Sequence, residues 1–156
     1  MSWNLEHAPT QKGRIAIVTG ANIGLGYETA LALAAKGCSV VLACRNVDKA
    51  EAATASIVAQ HPKAVVECMA LDLASLKSVR KFAAAYKRRH ARLDLLINNA
   101  GIMMPPFALS EDGFESQLAA NYLGHFALTG LLLPLIVKTP QSRIVSLSSL
   151  AHQWGS

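Results

Sequence analysis

The chain has 156 residues, of which 52% are hydrophobic and 16% charged, enough apolar material for a buried core and too little charge for a solvated or disordered tail protein. The formal charge of +5 has no nucleic-acid platform behind it, because the basic residues are scattered and few aromatics lie among them. The one basic cluster, KRRH at 87–90, reads as a solvated helix end.

The leader, residues 1–12, is polar and lacks the apolar h-region of a secretory signal. The longest apolar stretch, ALTGLLLPLIV at 127–137, is too short to span a bilayer and carries Gly130 and Pro134, so no membrane span is expected. Cys38, Cys44 and Cys68 show no metal-ligand spacing and lie in or beside apolar runs. That pattern predicts buried free thiols, no metal site, and a reducing cytoplasmic setting.

Taken in chain order, RIAIVTG (14–20) is a β-branched run ending in glycine, a buried strand. A helix rich in Ala and Leu follows over 25–37, with Gly37 as its stop. SVVLACR (39–45) is a second strand, 47–61 a second helix ahead of Pro62, and 64–73 a third strand. Ser75 is a plausible N-cap for a third helix over 75–90. LDLLINNAG (93–101) is a fourth strand, the loop IMMPPFALSEDG leads to a long helix over about 114–137, and RIVSLSS (143–149) is a fifth strand. Short strands alternating with longer helices predict an α/β fold of Rossmann type, a doubly wound parallel sheet with helices on both faces.

The turn TGANIGLG puts Gly20, Gly24 and Gly26 between the first strand and the first helix. Gly20 permits the tight turn, Gly24 lets backbone approach a pyrophosphate, and Gly26 lets the helix pack closely on the sheet. The helix N-terminus offers free N–H groups and partial positive charge for phosphate.

This G-x-x-x-G-x-G spacing resembles that of the short-chain dehydrogenase/reductase family. LDL (71–73), NNAG (98–101), NYLGHFALT (121–129) and RIVSLSS follow in the family's order. ACRN and RIVSLSSLAH resemble its retinol-dehydrogenase-like and protochlorophyllide-reductase-like branch. The resemblance spans residues 13 to 152 and implies an NADP(H)-binding domain over 13–156. Asn22, Ile23, Leu25, Asn99, Ala100 and Gly101 would join the three turn glycines around the dinucleotide, Ala100 and Gly101 passing close to the nicotinamide ribose. Cys44 stands where NAD-specific members usually carry Asp, and Arg45 follows it, which implies NADP(H) unless Arg45 is only a surface charge. Asp48 reads as a cap or first-turn residue. Asp72 would contact the adenine amino group, with Leu73 beside the ring, although a capping role explains Asp72 too. Asn98 is expected to brace the central strands.

The resemblance further implies hydride transfer between the nicotinamide and a small apolar carbonyl or alcohol, served by Asn, Ser, Tyr and Lys. Asn121 matches the catalytic Asn and Ser149 the catalytic Ser; bracing of backbone and capping of the strand end are the plainer roles. Period-two alternation would turn Ser148 and Ser149 to opposite faces. Tyr27, Tyr86 and Tyr122 are followed four residues on by Leu31, His90 and Phe126, so none begins the family's Tyr-x-x-x-Lys. His152 could take a proton only as a tail histidine. The chain therefore reads as the N-terminal part of an oxidoreductase, truncated after the fifth strand and inactive by itself. The alternative is a non-catalytic nucleotide-binding or interaction module. GIMMPPF (101–107) is either apolar wall for a substrate or plain loop packing. The helix over 114–137 or an exposed fifth-strand edge could pair two copies.

Overall fold

A computed structural model describes residues 4–153, the side chains of 151 and 152 excepted. Met1–Trp3 of the leader and residues 154–156 lie outside the described residues, as does the side chain of His152. The described part of the leader is tied to the body of the fold. Asn4 caps a short 3-10 turn at Leu5–His7, Gln11 N donates to Lys36 O at 2.8 Å, and Lys36 Nζ reaches Glu6 O at 3.2 Å.

Five parallel strands form the sheet: β1 Ile15–Thr19, β2 Ser39–Cys44, β3 Val66–Ala70, β4 Leu95–Asn98 and β5 Arg143–Ser146, in the order β3-β2-β1-β4-β5. Four helices connect them: α1 Gly24–Ala35, α2 Val47–Gln60, α3 Leu76–Arg89 and α4 Gly124–Lys138. The doubly wound fold expected from the β-α alternation is what forms.

The pleat divides the core in two. Ile17, Val41 and Leu96 stand in register on one face and pack with Phe82, Tyr86, Leu128 and Leu132 of α3 and α4. Ala16, Val18, Val40, Leu42 and Ile97 point the other way, onto Ala30, Ala34, Ala53 and Ile57 of α1 and α2. Each fully buried Leu, Ile or Phe contributes about 1.5–3 kcal/mol relative to exposure. The sheet-facing row of α1 is Gly26, Ala30 and Ala34, all buried and small, so this helix lies close to the strands.

Caps match the sequence signals in part. Ser75 accepts from Ser78 N at 3.1 Å and Gly37 ends α1 at φ 85°. The cap of α2 is Asn46, which accepts from Lys49 N at 2.9 Å; Asp48 lies in the first turn, where it complements the helix dipole.

The long helix departs from expectation. Its start is held by Glu115, whose carboxylate accepts from Gln117 N at 2.8 Å and Leu118 N at 2.9 Å. Those two N–H groups, with Ser116 Oγ, hold the Glu115 carboxyl below the usual carboxylate range against a small opposing effect of burial. Residues Leu118–Leu123 then form a π turn that runs into α4. The two pieces make one helix, Leu118–Lys138, of 21 residues, whose most apolar 18-residue window has mean hydropathy 1.5. By length and composition alone it is long and apolar enough to cross a bilayer, as core helices can also be, and it is longer than the 127–137 stretch read from sequence. Its inner face, Leu128, Leu132 and Ile136, is packed into the core. Two of the thiols are buried as expected, but Cys68 is half-buried on the outer strand β3.

Candidate functional site

The sheet order reverses at β1, which has β2 on one side and β4 on the other. The chain leaves β1 toward one face and β4 toward the other, so a crevice opens outside their carboxyl ends. A cleft of about 560 Å³ lies there. Its lining includes Gly20, Asn22, Ile23, Leu25 and Gly26 from the β1–α1 turn and Arg45 from the end of β2. Asp72 and Leu73 after β3 and Asn99, Ala100 and Gly101 after β4 complete it. Every expected cofactor-binding residue except Gly24 therefore shares one cavity.

The glycines separate by role. Gly20 has φ 64°, and a Cβ there would press on Ala100 at 3.0 Å. Gly26 has a helical conformation but no room, since a Cβ would stand 2.6 Å from the Gly20 carbonyl oxygen. Gly24 does not line the cleft; it supplies the left-handed φ of 62° that opens α1 and faces free space. The N-cap of α1 is Ile23, which has no side-chain acceptor to offer. The first turn of this helix thus presents uncapped N–H groups and the positive end of the dipole to the cleft.

Two cations stand where β2 enters α2. Arg45 is exposed and lines the cleft, and so does Lys49, one turn further along. The sequence reading missed Lys49; the signal was its place one helical turn after Arg45. Asp72 does not cap α3, whose N-cap is Ser75. Asp72 Oδ1 accepts from Ala74 N at 2.9 Å, a local turn cap, and the residue still lines the cleft.

A second cavity of about 640 Å³ adjoins the first, sharing Asn99, Ala100, Gly101 and Leu147 with it. Asn121, Ser148 and Ser149 all line it. This corrects the opposite-face expectation for the serines. β5 ends at Ser146, Leu147 N still donates to Asn98 O at 3.0 Å, and the serines follow beyond the paired strand, where ladder pairing no longer imposes the period-two alternation. Asn121 sits in the π turn with its amide engaged at both ends: Ile102 N donates to Oδ1 and Nδ2 donates to Ile102 O, each at 2.9 Å. It straps the loop after β4, and Gln117 Oε1 holds the same loop through Met104 N at 2.9 Å. The far end of that loop is fixed by Glu111 to Ser75 Oγ and by Asp112 to Leu76 N. Met103, Met104 and Phe107 of the loop remain exposed.

Asn98 braces β4 as expected, donating to Thr129 Oγ1 at 3.2 Å and Ser146 Oγ at 3.4 Å. Its buried Oδ1 has no partner among the described residues, and the residue borders the second cavity. Of the tyrosines, Tyr27 bonds Ser56 Oγ, and Tyr86 is fully buried, its phenol pushed up by burial and then by Asp94 and Glu67. Tyr122, set aside on sequence grounds, lines the second cavity and stacks on Phe126. The reading also missed His125, buried between β1 and the π turn.

A parallel sheet with a glycine turn, an uncapped helix N-terminus and a crevice at the strand-order reversal defines the class of dinucleotide-binding α/β proteins. A family model described as short chain dehydrogenase matches residues 14–156, and the chain belongs to that family. It is 51% identical to retinol dehydrogenase 13 of Homo sapiens over 146 residues, 94% of this chain and 44% of that protein. An uncharacterized protein from Mycobacterium paratuberculosis superposes with a TM-score of 0.84 at 44% identity, covering 97% of this chain and 52% of that one. A short chain dehydrogenase from Escherichia coli CFT073 complexed with NADPH gives 0.80 at 28% identity, over 93% and 62% of the two chains. The chain spans about half the length of the curated relatives it matches.

Proposed function

We propose that these residues form the NADP(H)-binding part of a short-chain oxidoreductase that interconverts an alcohol and a carbonyl. The observation that carries this is the cleft of about 560 Å³ in which the uncapped start of α1 faces Arg45 and Lys49. The donor set fits the group: backbone N–H for a pyrophosphate, two cations for a further phosphate, no carboxylate at the end of β2. When bound, the nicotinamide supplies or receives the hydride. Arg45 and Lys49 would hold the ribose phosphate, Asp72 and Leu73 the adenine, and Asn99, Ala100 and Gly101 the nicotinamide side. Ser149 would hydrogen-bond the substrate oxygen, and Asn121 would keep the neighbouring loop in place.

No Tyr-x-x-x-Lys occurs in these 156 residues, so binding without turnover is the reading for this chain alone. Names of the relatives point to an apolar alcohol or carbonyl as substrate, and Ile102 in the first cavity and Phe126 in the second suit one. The buried, unpaired thiols of Cys38 and Cys44 suit a reducing compartment such as the cytoplasm.

Titration of the 156-residue chain with NADPH and NADH, followed by nucleotide fluorescence, tests the reading. NADPH is expected to bind at least about tenfold tighter than NADH. Equal affinities would remove the NADP(H) assignment, and no binding of either would remove the nucleotide site. Substrate-dependent consumption of NADPH by this chain would overturn the binding-only reading.

A further inference from the structure

His125 has no role in the site as expected from the sequence, yet both of its ring nitrogens reach other segments. Nδ1 lies 3.0 Å from the carbonyl oxygen of Asn121, and Nε2 lies 2.9 Å from Thr19 Oγ1 at the end of β1. A carbonyl oxygen can only accept, so Nδ1 carries the ring proton. Nε2 is then an acceptor, and the Thr19 hydroxyl donates to it. That leaves the two lone pairs of Thr19 Oγ1 for the backbone N–H groups of Asn99 and Ala100, which donate at 2.9 Å each. The alternative acceptor for the hydroxyl, Ile97 O, is further away at 3.3 Å.

The assignment uses each polar group to capacity. It also forms one continuous chain: the Asn99–Ala100 turn, Thr19, His125, the Asn121 carbonyl, and through the Asn121 amide the backbone of Ile102. The turn at one end belongs to both cavities, and the π turn at the other borders the second. Buried networks of this kind select one arrangement of their segments, because breaking any link strands a desolvated polar group.

We propose that His125 is a positioning residue of the nucleotide site: protonated on Nδ1, it couples the Asn99–Ala100 turn to the π turn so that the cleft floor and the loop strap hold one relative placement. The link to nucleotide affinity rests on the function proposed above; the hydrogen-bond assignment stands apart from it.

The test uses the 156-residue chain. Nitrogen-15 NMR of the His125 ring is expected to show a neutral imidazole with Nδ1 protonated; a proton on Nε2 overturns the proposal without any variant being needed. His125→Phe, which keeps a ring but no polar atom, is expected to speed amide exchange at Asn99, Ala100 and Ile102 by roughly tenfold relative to Leu42 in β2. His125→Gln, which restores an acceptor toward Thr19, should recover protection at Asn99 and Ala100. Unchanged relative exchange in His125→Phe overturns the coupling. NADPH affinity should fall about tenfold in His125→Phe and return in part with His125→Gln. A wild-type chain that binds no NADPH would defeat the proposed function and the affinity clause, while tautomer and exchange would still decide the coupling.

Discussion

Gly26, on the first turn of α1, leaves no space between itself and Gly20: a Cβ on Gly26 would lie 2.6 Å from the Gly20 carbonyl oxygen and would also strike the Asn99 amide. The helix is therefore seated directly on the turn that precedes it. Asn99 Nδ2 donates to Thr19 O at 2.8 Å in the same spot, so the neighbour has a fixed place and cannot give way. Gly26→Ala should cost about 1–3 kcal/mol of stability, read from urea midpoints. NADPH binding should weaken with it, because the displaced helix carries the phosphate-facing N–H groups.

Arg45 and Lys49 should contribute unequally to cofactor choice. Arg45 offers a planar fork matched to phosphate, whereas Lys49 acts as a point charge. Arg45→Ala is expected to weaken NADPH binding by about tenfold to a hundredfold and leave NADH within a few-fold. Lys49→Ala should do less, and both effects should shrink in high salt. Isothermal titration at two ionic strengths checks all three.

At the opposite end of the sheet, Asp94 holds β1 and β4 together. Its carboxylate takes Arg92 through two bonds, at 2.9 and 2.6 Å, and accepts from Ile15 N at 2.9 Å. Burial pushes this carboxyl up, but the Arg92 fork, the Ile15 N–H and Arg14 together outweigh it and hold it below the usual range. Since the folded value is depressed, this stabilisation is present above the unfolded value near 4 and is lost as pH falls through the folded one. Asp94→Ala should cost about 2–3 kcal/mol at neutral pH and flatten the acid limb of the stability curve. The figure allows for the half-exposed Arg92.

His125 predicts a separate, milder acid window. Burial lowers its affinity for a proton, against an opposing contribution from the Asn121 carbonyl. Protonation would turn Nε2 into a donor toward Thr19 Oγ1, whose lone pairs are already taken by Asn99 and Ala100. The folded value lies below the unfolded one near 6.5, so stability is full above that pH and falls as the solution is acidified toward the folded value. Chemical denaturation at pH 7.5 and 5.5 should show this loss in wild type. His125→Phe should lack it.

The sequence determined the layers and the cofactor cleft because both depend on local, repeating chemistry. Apolar β-branched runs become strands, Ala-rich segments helices, and the glycines of TGANIGLG stand where strand meets helix whatever surrounds them. Arg45, Asp72 and the NNAG turn converge because parallel strands carry their carboxyl ends to one side. Tertiary structure alone decided the rest. The end of β5 before Ser148, the π turn around Asn121 and the burial of His125 against Thr19 depend on contacts across 19 to 106 residues of chain. A histidine in an apolar helix has no periodicity that reveals its partner. Only when α4 packs over the carboxyl end of β1 does the hydroxyl at residue 19 meet that ring, and hydrogen bonding between groups so distant in sequence is a property of the assembled fold.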